Sequence, residues 1–146
     1  MATKVTEHFT LEEMAATSHK DLQQANYKYA ESRMWILINI CKLLEEARTA
    51  LGCPLIISSG VRCPELNERM SGAKNSQHMR CEAADFVPKN HSVEEAFEIL
   101  HKSSLQFDQL ILEHSGNKSW LHISCSQAPR RESLIYDKGK YKRYKG

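Results

Sequence analysis

The sequence predicts an α+β domain: a small, mainly antiparallel sheet with flanking helices. Three observations predict it. A long helical stripe of apolar residues occupies the region before residue 52. Short apolar runs bounded by Gly, Pro and Ser recur at residues 54–58, 83–87, 110–113 and 120–125. The last two runs are separated by only six residues, a spacing that suits a hairpin. At 146 residues the chain suits one domain with one core.

Taken in order, Thr10-Leu11-Glu12-Glu13 fits a capping box and starts a short helix. A long helix is expected from about Glu31 to Ala50. Leu37, Cys41, Leu44, Ala47 and Leu51 recur at gaps of three or four, with Ile36, Ile40 and Leu43 beside them. Lys42, Glu45, Glu46 and Thr49 line the other face. Arg48 falls inside the stripe, where its stem can pack while its head reaches water. Ile38 falls on the polar face and implies partial cover there. Gly52 ends the helix.

Pro54 to Ser58 reads as a short buried strand, broken by Ser59-Gly60. Residues 61–80 read as loop with one helical turn near Glu65–Met70. Ala83 to Val87 is a second strand, closed by Pro88. Ser92-Val93-Glu94-Glu95 is another capping box, and Val93, Ala96, Phe97 and Leu100 form its helical stripe. Leu110–Glu113 and Trp120–Cys125 form the hairpin, joined by the loop from His114 to Ser119. Leu134-Ile135-Tyr136 is expected to add an edge strand. The order of elements gives the fold class.

Composition narrows the function. The longest near-apolar run, Met34 to Cys41, is interrupted by Asn39 and is too short to span a bilayer. The first residues show no signal core or cleavage site, so the expectation is a chain that starts in the cytoplasm. Five cysteines, an odd number, argue against a disulfide framework, and no Cys-x-x-Cys pair offers a thiolate zinc site. Five of the 20 basic residues follow Asp137 and no acid does. The net charge of +2 therefore becomes −3 over residues 1–137. The expected organisation is one domain over residues 1–137 and a basic tail over 138–146. That tail could touch anionic wall polymer, membrane or nucleic acid, but a frayed, solvated end is the simpler reading.

The chemistry lies in a scatter of polar residues: Arg62, Ser76-Gln77-His78, Asp85, Glu113 and Trp120-Leu121-His122. Two imidazoles and one carboxylate, His78, Asp85 and His122, make a three-ligand set for Zn²⁺. Three protein ligands leave a position for water, the mark of catalytic rather than structural zinc. In the hairpin, Trp120, His122 and Ser124 share a face. Pairing Glu113 with Trp120 puts Ile111 opposite His122 and Glu113 diagonal to it, roughly 7–8 Å away. That is too far for an obvious ligand but near enough to take a proton from an attacking water. A turn must bring His78 and Asp85 together. The Arg62 guanidinium, just past a strand end, offers a fork for a carboxylate. Asp108 reads as a strand-entry residue or a partner to the site, and His114 should face away.

Ser59-Gly60-Val61-Arg62, Leu66-Asn67, Gly72-Ala73, the run Ser76-Gln77-His78 with Ala83 and Asp85, Phe107-Asp108-Gln109-Leu110-Ile111 with Glu113, and Trp120-Leu121-His122-Ile123-Ser124 together resemble the zinc D-Ala-D-Ala carboxypeptidase family of peptidoglycan peptidases. The likeness runs from about His8 to about Arg131 and is nearest to short phage and bacterial members. It implies the fold shared with the amino-terminal domain of hedgehog proteins and with vancomycin-resistance dipeptidases. It also implies roles. His78, Asp85 and His122 would bind Zn²⁺ and Glu113 would be the base. Arg62 would hold a substrate carboxylate or carbonyl, Ser76 would support the site by hydrogen bonding, and Trp120 would wall the cleft. Family members usually carry Gly three residues after the first ligand, where this chain has Cys81. If that position needs positive φ, Cys81 is strained. Cys81 could also offer zinc a soft thiolate, although a buried spectator thiol is the default.

The expected activity is hydrolysis of peptide bonds, at D-amino acids, in peptidoglycan stem peptides. The expected protein is a monomer with no specific nucleic-acid partner, encoded by a phage or prophage and acting on the wall once released. Three rivals stand beside it: a zinc dipeptidase on free D-Ala-D-Ala peptides, a non-catalytic zinc-containing binding module, and a basic-tailed nucleic-acid binder, which the acidic balance of residues 1–137 disfavours.

Overall fold

The computed structural model describes residues 2–146. Its helices are α1 (Leu11–Met14), α2 (Gln23–Glu31), α3 (Met34–Leu51), α4 (Pro64–Arg69) and α5 (Val93–Lys102). Its strands are β1 (Leu55–Ser59), β2 (Ala83–Pro88), β3 (Gln109–Ser115), β4 (Lys118–Ser124), β5 (Glu132–Asp137) and β6 (Lys140–Arg143). The six strands form one sheet in the order β1-β2-β4-β3-β5-β6. Every neighbouring pair is antiparallel except β3 and β5. The α+β class read from the sequence is the one observed.

Both capping boxes form. The Thr10 and Ser92 hydroxyls accept from the amides of Glu13 and Glu95, whose carboxylates accept the cap amides in return. Gly52 ends α3 in the left-handed region at φ 66, its N–H on the Arg48 carbonyl. The stripe Leu37, Ile40, Cys41, Leu44 and Ala47 is buried, and Ile38 and Arg48 are half-buried, as their positions imply. The helix starts at Met34 rather than Glu31, because Glu31 belongs to α2, which periodicity does not reveal. The segment Gln23–Glu31 is polar and buries only Asn26 and Ala30. It is held by the hydrogen bonds of Asn26, not by an apolar stripe.

The sheet separates core from cleft by alternation. Ala84, Phe86, Leu110, Leu112, Leu121 and Ile123 belong to the apolar core with α3 and α5. Burying each large one contributes about 1.5–3 kcal/mol. Asp85, Ile111, Glu113 and His122 alternate with them and line the cleft on the opposite face.

Three expectations at the carboxyl-terminal side are corrected. The hairpin does not carry a six-residue loop. His114, Ser115, Lys118 and Ser119 are paired, so Gly116-Asn117 alone turn the chain, with Gly116 at φ 62. Leu134–Tyr136 lie in an internal strand, because β5 is flanked by β3 on one side and β6 on the other. Residues 140–143 are not a solvated end but the edge strand itself. Lys138 and Gly139 both take positive φ (52 and 77), as a two-residue turn between twisted strands needs. Lys140, Lys142 and Arg143 guard the exposed edge against pairing with another chain. Beyond the strand, the Tyr144 ring packs 4.9 Å from those of Phe97 and His101, and its hydroxyl donates to Glu98. The run of charge hides this strand in the sequence.

Candidate metal centre

The route from His78 to Asp85 is a helical turn that ends abruptly. The amides of Arg80 and Cys81 donate to the carbonyls of Gln77 and His78. The Glu82 amide then reaches back to Gln77 at 2.9 Å. Paired bonds of this kind close a helix end when the residue between them is left-handed. That residue is Cys81, at φ 59. The strain expected of a non-glycine there is therefore real, about 1–2 kcal/mol. Cys81 is fully buried, its thiol pushed up to about 11 chiefly by burial, so it stays protonated at neutral pH. It stands outside the ligand group described next.

Asp85 pairs with His122 across β2 and β4, and the turn delivers His78 to the same point. Ligand atoms of His78, Asp85 and His122 lie within 4.8 Å of one another. Asp85 Oδ1 is 2.9 Å from His122 Nδ1 and 3.4 Å from His78 Nε2. His78 Nδ1 lies 2.7 Å from the Gly60 carbonyl. A proton on Nδ1 satisfies that carbonyl and leaves Nε2 with a free lone pair toward Asp85, the tautomer a metal requires. The rings meet edge to face, 5.1 Å apart. His78, Asp85 and His122 are exposed by only 4%, 6% and 9%. Two imidazole nitrogens and one carboxylate oxygen converging on one buried point suit Zn²⁺ in chemistry and in number.

The charges fit the same use. Burial alone would raise Asp85, but His78 and His122 beside it more than offset this and hold its carboxyl well below the usual range. His78 is pushed down, first by burial, against the opposing pull of Asp85. Glu113 is pushed up, first by burial and then by the charge of Asp85, against the opposing pull of His122, Trp120 and Arg62.

The remaining expected residues surround this point in a cleft of about 410 Å³. The register is the expected one: Glu113 pairs with Trp120 and Ile111 with His122. Glu113 is thus diagonal to His122 and outside the ligand group. The Trp120 indole donates to Glu113 Oε2 at 3.1 Å, so it both walls the cleft and fixes the carboxylate. Arg62 approaches Asp85 at 3.7 Å and bonds the Ser59 hydroxyl at 3.3 Å. Ser76 accepts the His78 amide at 3.2 Å and opens the turn. His114 bonds Ser119.

Asn26 and Arg130 escape sequence reasoning. Asn26, fully buried, donates to the carbonyls of Ala15 and Val61 and accepts the Cys63 amide, which fixes the backbone on both sides of Arg62. Its partner Val61 lies 35 residues away, so no local pattern announces it. Asp108 accepts from Gln77 and, through both its oxygens, from Arg130, and so ties the turn bearing His78 to the segment before β5. Arg130 also lines the cleft.

The α+β frame places a His-Asp-His group that could hold a metal ion in an open cleft. The sequence profile of the peptidase M15 family, the D-Ala-D-Ala carboxypeptidase-like metallopeptidases, matches residues 7–124, and the chain belongs to that family. Peptidases of this family are zinc enzymes. No curated protein sequence matches the chain. None of the helices described is long and apolar enough to cross a membrane.

Proposed function

We propose that this protein is a zinc metallopeptidase that hydrolyses peptide bonds, at D-amino acids, in peptidoglycan stem peptides. The observation that carries the reading is the buried convergence of His78 Nε2, Asp85 Oδ1 and His122 Nδ1 in a member of the M15 family. Zinc held by these atoms supplies Lewis acidity, polarising a carbonyl and lowering the pKa of water toward about 7. The Gly60 carbonyl keeps His78 in the ligating tautomer. Glu113, with its raised pKa, accepts a proton from the attacking water and returns it to the leaving amine. The Trp120 N–H holds Glu113 Oε2 in place for both transfers. Arg62 offers its guanidinium to a substrate carboxylate or carbonyl. Burial of the ligands keeps bulk water from competing for these charges.

The test is metal content together with hydrolysis of purified peptidoglycan and of D-Ala-D-Ala peptides, for wild type, His122→Ala and Glu113→Ala. The expected result is one zinc per chain and cleavage by wild type. His122→Ala should lose zinc, and Glu113→Ala should keep zinc but lose cleavage. Zinc without cleavage of any substrate by wild type would leave a binding module, and no zinc would end the reading.

A further inference from the structure

The family match ends at residue 124, yet the cleft does not. One of its walls is Tyr141, on β6, in the segment that the sequence presents as a basic tail. Strand register explains how it gets there. Trp120 pairs with Glu113, Glu113 with Tyr136, and Tyr136 with Tyr141. Paired residues in neighbouring strands share a face, so these four form one row across β4, β3, β5 and β6 on the catalytic side. The rings of Tyr136 and Tyr141 are 4.6 Å apart, and Tyr136 thereby props Tyr141.

Tyr141 is also chemically free. The hydroxyls of Tyr27, Tyr29 and Tyr144 bond to Glu12, the Met79 carbonyl and Glu98. Among the described residues the hydroxyls of Tyr136 and Tyr141 bond to nothing, and Tyr141 is 58% exposed beside the half-buried Glu113, Trp120 and Tyr136. An aromatic ring with an unused donor, held over a cleft by a second ring, is built to touch a ligand.

The spacing sets what that ligand must be. Three strand separations lie between β4 and β6, about 14 Å at the backbone. An extended peptide advances about 3.3 Å per residue, so a dipeptide at the metal, about 7 Å long, falls short of the β6 wall while a chain of four or five residues, about 13–17 Å, reaches it. Partial burial, Glu113, Tyr136 and Asp85 push the Tyr141 phenol up, which keeps it a donor at neutral pH.

We propose that Tyr141 contacts the substrate by donating a hydrogen bond to the backbone of a bound peptide of four or more residues. The β5–β6 hairpin thereby selects stem peptides over free dipeptides. This rests on the peptidase reading above and deepens it.

The experiment uses the full zinc-loaded chain with Glu113→Gln to stop turnover. The stem pentapeptide L-Ala-γ-D-Glu-L-Lys-D-Ala-D-Ala and the dipeptide D-Ala-D-Ala are titrated by calorimetry, with and without Tyr141→Phe or Tyr141→Ala. Zinc content is checked for each protein. The expected result is pentapeptide affinity about tenfold weaker in Tyr141→Ala and about threefold weaker in Tyr141→Phe, with the dipeptide unchanged. Equal pentapeptide affinity in all three proteins overturns the inference, as does equal weakening of both peptides. Cleavage of the pentapeptide by the chain with Glu113 intact separates the two claims. Cleavage with indifferent Tyr141 variants sinks only the inference. No binding and no cleavage sinks both.

Discussion

Gly60→Ala tests how tightly the fold and the metal centre are joined. A Cβ on Gly60 would stand 2.4 Å from the Met14 carbonyl oxygen and 3.1 Å from two further backbone atoms of Met14. Ordinary contact begins at 3.4 Å, so α1 and the end of β1 must part by about 1 Å. The same Met14 oxygen accepts the Val61 amide at 2.7 Å. Parting of that size takes the bond beyond hydrogen-bonding range. Overpacking costs about 1–3 kcal/mol and the lost bond about 1 kcal/mol, so the metal-free protein should lose roughly 2–4 kcal/mol. The Gly60 carbonyl also fixes the His78 tautomer, and loss of such an outer partner typically costs about 10–100-fold in metal affinity. Gly52→Ala is the control. It is left-handed at φ 66 with nothing within 4 Å of an added Cβ. It should cost about 1 kcal/mol and leave zinc affinity alone. Urea unfolding in chelator gives the stability, and competition with a chromophoric chelator gives the affinity. If Gly60→Ala matched wild type within about 0.5 kcal/mol and bound zinc equally well, the coupling argued here would be wrong.

Glu113→Gln should keep zinc while turnover falls at least about 10²-fold. Because the folded Glu113 pKa is raised, stability present below its unfolded pKa is lost as pH rises through the folded one. The metal-free Glu113→Gln chain should therefore be more stable than wild type near pH 7; equal stability would contradict the burial argument. Asp108 behaves oppositely: its bond to Arg130, against opposing burial, holds its carboxyl at about 2, below the ordinary 3.8. Its contribution is present above the unfolded pKa and lost as pH falls toward 2. Asp108→Asn should cost about 1–2 kcal/mol at pH 7, allowing for the exposure of Arg130, and flatten the acid limb of a stability-versus-pH curve. Cys81→Gly should be more stable than Cys81→Ala by about 1 kcal/mol in urea unfolding, since only glycine enters the left-handed region without strain. A lead for Cys81→Ala would refute the account of the turn.

The sequence by itself determined whatever depends on near neighbours. Both capping boxes, the α3 stripe and its Gly52 stop, and the alternation that puts His122 and Trp120 on one face follow from residues within a few positions of one another. The Glu113–Trp120 register followed too, because a short hairpin permits few pairings. The polar helix α2 was hidden, since its anchor Asn26 acts on Ala15, Val61 and Cys63 and leaves no periodic trace. The strand β6 was hidden because charge on an edge strand looks the same as charge on a loose end. Only the tertiary structure decided that Cys81 turns left-handed, that His78 Nε2 and His122 Nδ1 meet at one oxygen of Asp85, and that Tyr141 lines the cleft. The last two are meetings of segments distant in the chain, and angles and distances between such segments are settled by how the whole core packs.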